Sequence, residues 1–186
     1  MKRWIICLMT LVLMTGMMCQ GLTEMEEDRG RVAINLQAIK VMLDANDLPI
    51  DFDSENDYFA VDFDLKDKRL DACTIYLCAY EDGVSIEAAY DKTAKKETWK
   101  EIVTFLNRAT TRMRLGNFYL DEYDGSVIFR IFLFTDVLPP TQYSLEYNVG
   151  LALYMLDRYG SPLAAMIFDG ATADEAWEMY LAEKSE

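Results

Sequence analysis

Histidine is absent from all 186 residues. That rules out Ser-His-Asp and Cys-His constellations and every His-ligated zinc site. It also removes the side chain that ordinarily titrates near neutral pH. Carboxylates remain as candidates for proton transfer, with 32 Asp and Glu against 18 Lys and Arg. The densest group is Asp51, Asp53, Glu55 and Asp57. An EF-hand loop needs Gly at its sixth position and Glu at its twelfth. Counted from Asp51, those positions hold Asn56 and Asp62, so the stretch reads as a solvated acidic turn. General acid–base work by paired carboxylates needs two acids in one pocket. Most acids here alternate outward on strands or crowd loops, where hydration is the default.

Cys73 and Cys78 are the two cysteines well inside the chain. Five positions apart on one strand, they point to opposite faces and cannot bridge each other. Cys73 shares a face with Ile75 and Leu77 and reads as a small buried apolar residue. Cys78 falls on the less apolar face, where the expected register pairs it with Glu87; a redox role for it is the weaker alternative. There is no CxxC and no Gly-rich phosphate loop. No catalytic residue, cofactor site or metal site is assigned, and an enzyme is not expected.

The elements that would position any site are legible. The stretch from Gly116 to Phe134 reads as a β-hairpin around Asp124-Gly125, a pair suited to a two-residue type I′ turn. That turn sets Leu120 opposite Phe129 and Phe118 opposite Ile131 on a core face. Tyr119 falls opposite Arg130, and Asn117 opposite Phe132, on the other face. That second face also holds Ile128 and Phe134, so it is not cleanly polar. The expectation is that another element of the chain covers it, the alternative being a partner chain. Upstream, Tyr58 to Leu65 alternates as a half-buried strand. Leu70 to Tyr80 and Val84 to Tyr90 form a second hairpin about Asp82-Gly83, with Leu77 opposite Ala88.

Four helices complete the pattern. The first spans Arg31 to Asn46. The second, Thr93 to Met113, turns Trp99, Ile102, Val103, Leu106, Thr110 and Met113 inward. Its ridge of Lys96, Lys100, Arg108 and Arg112 reads as a solvated face with long-stemmed charges, or as a dock for an acidic partner. The third, Gln142 to Tyr159, is apolar almost all round, with Tyr147, Leu151, Tyr154 and Met155 opposite Leu145, Val149, Ala152 and Leu156. Such a helix is buried on several sides or serves as an interface. Gly160-Ser161-Pro162 is expected to break it. A capping box at Thr172 and Glu175 opens the last helix. The expected class is α+β: an antiparallel sheet of about five strands with helices packed on it, in the order α-βββ-α-ββ-α-α.

Lys2 and Arg3 followed by the apolar run Trp4 to Met18 read as a secretory signal peptide over residues 1–21. About 15 apolar residues are few for a membrane span, which needs roughly 20. Cys19-Gln20-Gly21 suits cleavage before Leu22. The alternatives are lipidation of Cys19, with Gly16 and Met18 where a lipobox prefers Leu and a small residue, and an uncleaved anchor. An acidic linker, 22–30, then leads into one domain, 31–186. The chain is therefore expected to be exported, either periplasmic or secreted, or held at the membrane through Cys19. A net charge of −14 argues against nucleic acid as a partner.

The stretch FLNRATTRMRLGNFYLDEYDGSVIFRIFLF, with the helix from Gln142 to Tyr159, resembles the YbjN family of bacterial sensory transduction regulators. The features that carry the resemblance are Asn107, Gly116-Asn117-Phe118, Asp124-Gly125 and Arg130. The element order is similar to the type III secretion chaperone-like fold. The resemblance implies a bacterial source and protein–protein interaction, often as a dimer, with no catalytic residues to carry over. An export signal departs from the many relatives that are cytoplasmic. The expected function is thus non-enzymatic interaction or regulation, through an unidentified protein partner or a second copy. Candidate interface residues are Tyr119, Ile128, Arg130, Phe132, Phe134, Tyr147, Leu151 and Tyr154. The alternative is a small-ligand sensor of the envelope, with Tyr76, Tyr80, Tyr119 and Tyr123 on the rim of a cleft.

Overall fold

A computed structural model describes residues 29–184. The expected signal peptide, Cys19 and most of the acidic linker lie outside the described residues. Helix α1 is described over 29–45. It is followed by β1 (Asp51–Asp53), β2 (Tyr58–Asp64), β3 (Ala72–Ala79) and β4 (Gly83–Tyr90). A 3₁₀ turn, Lys96–Thr98, leads into α2 (Trp99–Thr110); β5 (Asn117–Leu120) and β6 (Val127–Phe134) come next. Helix α3 (Gln142–Ala164), a π-turn (Ala165–Asp169) and α4 (Ala173–Glu183) complete the order.

The strands form a six-stranded sheet in the order β1-β2-β3-β4-β6-β5, with antiparallel neighbours throughout. This is the expected α+β class with one strand more than anticipated. β1 falls within the stretch read as an acidic turn. It is a short edge strand held by main-chain pairing and by Phe52 against Phe59, ring centroids 4.6 Å apart. The turn itself follows directly, with the Asp53 carboxylate accepting from the backbone N–H groups of Glu55 and Asn56.

Alternation sorts the sheet into two faces. Cys73, Ile75, Leu77, Val84, Ile86, Ala88, Val127, Phe129 and Ile131 are buried on one face. Helices cover that face: Ile39, Met42 and Leu43 of α1, Ile102 and Phe105 of α2, and Leu145, Ala152 and Leu156 of α3 share its core. Tyr90 reaches from β4 to donate a hydrogen bond to the Leu156 carbonyl of α3, 2.7 Å. Asn35, buried on α1, contacts the Tyr80 and Gly83 carbonyls and the Thr135 hydroxyl, tying α1 to the end of the sheet.

Both hairpins differ from expectation by two residues. In β5–β6 the partners are Phe118 with Phe129, Tyr119 with Ile128 and Asn117 with Arg130. The loop has four residues, Glu122 to Gly125, rather than two. Asp121 and Asp124 cause this: their carboxylates accept from the backbone N–H groups of Tyr123 and Ser126, while Gly125 alone takes a left-handed φ of 83°. In β3–β4, Leu77 pairs with Ile86 and Cys78 with Ser85, and the Tyr80 N–H donates to the Gly83 carbonyl. The connecting residues are Glu81 and Asp82, and neither Asp82 nor Gly83 has a positive φ. A slip of two leaves every side chain on its expected face.

The helices differ more. α2 starts later than Thr93 because Ala94 is pinned first, its N–H donating to the Gly125 carbonyl and its own carbonyl accepting from Trp99 Nε1. Val103 is exposed, and Phe105 and Ala109 take inward places instead. α3 is not broken at Gly160-Ser161-Pro162 but continues to Ala164. Pro162 supplies no N–H to the turn before it, yet Leu163, Ala164 and Met166 beyond it are fully buried, and their packing holds the helical path. The register then loosens into the π-turn, which ends on Gly170 with φ 72°. α3 is also not buried all round, since Tyr143, Tyr147 and Tyr154 stand exposed along one side. The capping box at Thr172 and Glu175 is formed as expected.

Candidate functional site

The second face of the sheet is the surface that the hairpin pattern singled out. Among the described residues no helix covers it, so the expected intrachain cover is not found. Strand pairing arranges it in rows. Tyr76, Glu87, Arg130 and Asn117 run across β3, β4, β6 and β5; Cys78, Ser85 and Phe132 lie in a neighbouring row. Thr74, Ala89, Ile128 and Tyr119 form the row on the other side.

Glu87 is the polar centre. Its Oε1 accepts from the Ser85 hydroxyl at 3.0 Å and its Oε2 from the Tyr119 hydroxyl at 3.2 Å. Arg130 approaches Oε1 at 3.7 Å while its guanidinium lies 5.1 Å from the centre of the Tyr119 ring. Burial, and then the Glu87 charge, push the Tyr119 phenol up to about 12. The same two causes push the Cys78 thiol up to about 11. At neutral pH it is therefore a thiol and a poor nucleophile. The carboxylate is thus engaged by Ser85, Tyr119 and Arg130.

Aromatic side chains flank this centre. Phe132 lies between Tyr80 and Phe134, with centroid distances of 6.0 and 4.9 Å, and Phe134 is 75% exposed. Gly83 permits the arrangement: a Cβ there would sit 2.5 Å from the Phe132 ring and 2.3 Å from the Leu133 carbonyl oxygen. Tyr58 and Tyr76 make an edge-to-face pair, 5.6 Å. Tyr80, Ser85, Glu87, Asn117, Arg130 and Phe132 border a shallow cleft of 440 Å³.

Five of the candidate interface residues, Tyr119, Ile128, Arg130, Phe132 and Phe134, thus share one surface. Tyr147, Leu151 and Tyr154 do not join them; they line a separate cleft beside α3. Of the tyrosines considered for a ligand rim, Tyr76, Tyr80 and Tyr119 lie on the open face. Tyr123 projects from the β5–β6 loop, 96% exposed. Sequence reasoning passed over Ser85 and misplaced Glu87 opposite Cys78. The signal was present in the alternation, which puts both residues on the open face, but the two-residue turn gave them the wrong partners. The basic ridge of α2 is partly engaged within the chain. Arg108 pairs with Asp174 of α4 at 2.6 Å, and Arg112 stacks on Trp177 at 5.0 Å.

No family model matches the chain, and no curated protein matches it. Solved structures do. The crystal structure of YbjN, "a putative transcription regulator from E. coli", aligns with a TM-score of 0.52 over 72% of this chain and 89% of that one. The fold is YbjN-like. Sequence identity is 8%, so the likeness is one of fold and transfers no residue roles. It agrees with the resemblance drawn from Gly116-Asn117-Phe118 and the helix order at the level of architecture. Among the described residues no helix is long and apolar enough to cross a membrane.

Proposed function

We propose that this chain is a non-enzymatic protein-interaction module of an exported bacterial protein, and that it works through the open face of its sheet with a second copy as the occupant. The observation that carries the reading is an aromatic run, half-buried Phe132 between exposed Tyr80 and Phe134, beside a neutralised polar centre, Glu87 with Arg130. Aromatic residues and Arg are enriched at interface centres, and unpaired charge is depleted there. A face whose central charges cancel also lets two strongly acidic chains approach. The YbjN-like fold supports the reading, because the resemblance implies interaction and often a dimer. Nucleic acid is disfavoured as an occupant by the net charge of −14.

Light scattering on the purified protein across a concentration series tests this. A dimer that Phe132→Glu converts to monomer, with helical and strand content unchanged, is the expected result. A wild-type protein that is monomeric throughout, or a Phe132→Glu variant that still dimerises, overturns it. The second reading, a small-ligand sensor, is favoured by a different observation: the cleft beside α3, which is lined by cations.

A further inference from the structure

The cleft lies between the α2–β5 connection, α3 and α4, on the helical side of the molecule. It has a volume of 430 Å³, within the range of small-molecule sites. Its apolar lining is Met113, Leu115, Leu151 and Met155. Four cations border it, Arg112, Arg114, Arg158 and Lys184, and among the described residues no carboxylate does. In a chain of net charge −14 that is a marked local reversal. Among the described residues none of the four pairs with an acid: Arg112 stacks on Trp177, and Arg158 is engaged by tyrosines. An adjoining cleft shares Tyr154, Arg158, Tyr180 and Lys184 and adds Glu183 and Asp157, the latter held by Lys66 at 3.4 Å.

The hydrogen bonds at the wall are unbalanced towards donors. Tyr180, 4% exposed, accepts from Arg158 Nε at 3.3 Å, from Arg158 Nη2 at 2.9 Å and from the Tyr159 hydroxyl at 3.4 Å. Tyr154 accepts from Arg158 Nη1. Tyr159 and Tyr180 have two phenolic protons and one bond between them, so one proton has no acceptor among the described residues. The Tyr154 proton is in the same position. A guanidinium has five N–H groups, of which three are used, leaving two. The wall therefore offers two phenolic O–H groups, two guanidinium N–H groups and an ammonium that no acceptor among the described residues receives.

We propose that this cleft binds a small carboxylate with an apolar body, its carboxylate oxygens accepting from Arg158, Tyr154 and Tyr180 and its hydrocarbon lying on Leu151 and Met155. A carboxylate is acceptor-only and suits a planar guanidinium fork. The apolar lining distinguishes it from a bare inorganic anion. The proposal is independent of the sheet-face reading, since the residues of the two surfaces do not overlap.

The test titrates octanoate into the full chain and follows backbone amide shifts, with octanol and inorganic phosphate as controls. Octanoate is expected to shift residues 112–115, 151–158 and 180–184 and to bind at least about tenfold more tightly than either control. Arg158→Gln is expected to weaken octanoate about tenfold. Because that side chain also ties α3 to α4, Tyr154→Phe and the exposed Lys184→Gln serve as second variants, each expected to weaken binding about threefold with the wild-type spectrum retained. Octanol binding as tightly as octanoate overturns the proposal in favour of a plain apolar groove. Phosphate binding more tightly overturns it in favour of a bare anion site. Octanoate shifts confined to the open sheet face, or no shifts, overturn it as well.

Discussion

Glu87 and Arg130 are direct neighbours across the β4–β6 ladder, with the guanidinium 3.7 Å from the carboxylate; the Tyr119 hydroxyl donates to Glu87 and its ring faces Arg130. The pair is partly exposed, at 21% for Glu87 and 49% for Arg130, so its own contribution to stability is small, about 0 to 1 kcal/mol. Its consequence is chemical. Glu87 adds to the burial that raises Tyr119 while Arg130 opposes it, and the pair leaves the centre of the open face without net charge.

Tyr119 supplies a pH dependence. Its folded value of about 12 stands above the ordinary 10 of a tyrosine, because burial first and the Glu87 charge second disfavour the phenolate. A raised value favours the neutral form of the folded state. The stability Tyr119 contributes is therefore complete below pH 10 and is lost as pH rises through 12. Denaturation midpoints for the wild type should fall over that window more steeply than for Tyr119→Phe. In Glu87→Gln, tyrosine absorbance should show the phenol titrating lower but still above the ordinary value, since burial is the larger cause. Coincident wild-type and Tyr119→Phe curves would refute the assignment.

Asn35 fastens α1 to the sheet. It is 2% exposed and its amide nitrogen contacts two carbonyls, of Tyr80 and Gly83, and the Thr135 hydroxyl. The Gly83 carbonyl keeps the Tyr80 N–H, but removing the Asn35 donor strands the Tyr80 carbonyl, which costs about 1 to 3 kcal/mol. Asn35→Ala should lower the urea midpoint accordingly, and amide exchange should rise first at Tyr80, Gly83 and the Asn35 helix. An unchanged midpoint would mean that water replaces the side chain.

Gly125 joins the central hairpin to the entry of α2. Its φ is 83°, and a Cβ there would lie 2.3 Å from the Ala94 carbonyl oxygen. Gly125→Ala should destabilise by about 2 to 4 kcal/mol, combining backbone strain with a clash against main chain. Thermal unfolding measures it; a loss under 1 kcal/mol would show that the Ala94 strap yields easily.

The start of α4 separates a cap from a surface ion pair. Thr172→Ala removes one half of the capping box and should cost about 1 kcal/mol. Asp174→Asn removes the partner of Arg108, but Asp174 is 84% exposed, so the loss should be under about 0.5 kcal/mol. Chemical denaturation of both variants checks the order. A larger effect from Asp174 would indicate that the Arg108 contact orients α4 on α2.

Sequence alone determined which side chains share a face. Strand period is two, so Phe118, Phe129 and Ile131 fall together whatever the turn, provided any slip is even. It also determined the helix start at Thr172, because a capping box is local. Strand partners turned on loop hydrogen bonds that the Asp-Gly pair by itself does not specify. Asp121 and Asp124 turned their carboxylates onto backbone N–H groups and lengthened a loop that Asp-Gly alone suggested would be short. α3 passed Pro162 because burial of Leu163, Ala164 and Met166 outweighed a local breaker. The bare sheet face and the cation-lined cleft were the least legible. Each depends on where helices distant in sequence come to rest, and no local pattern records which surface they leave uncovered.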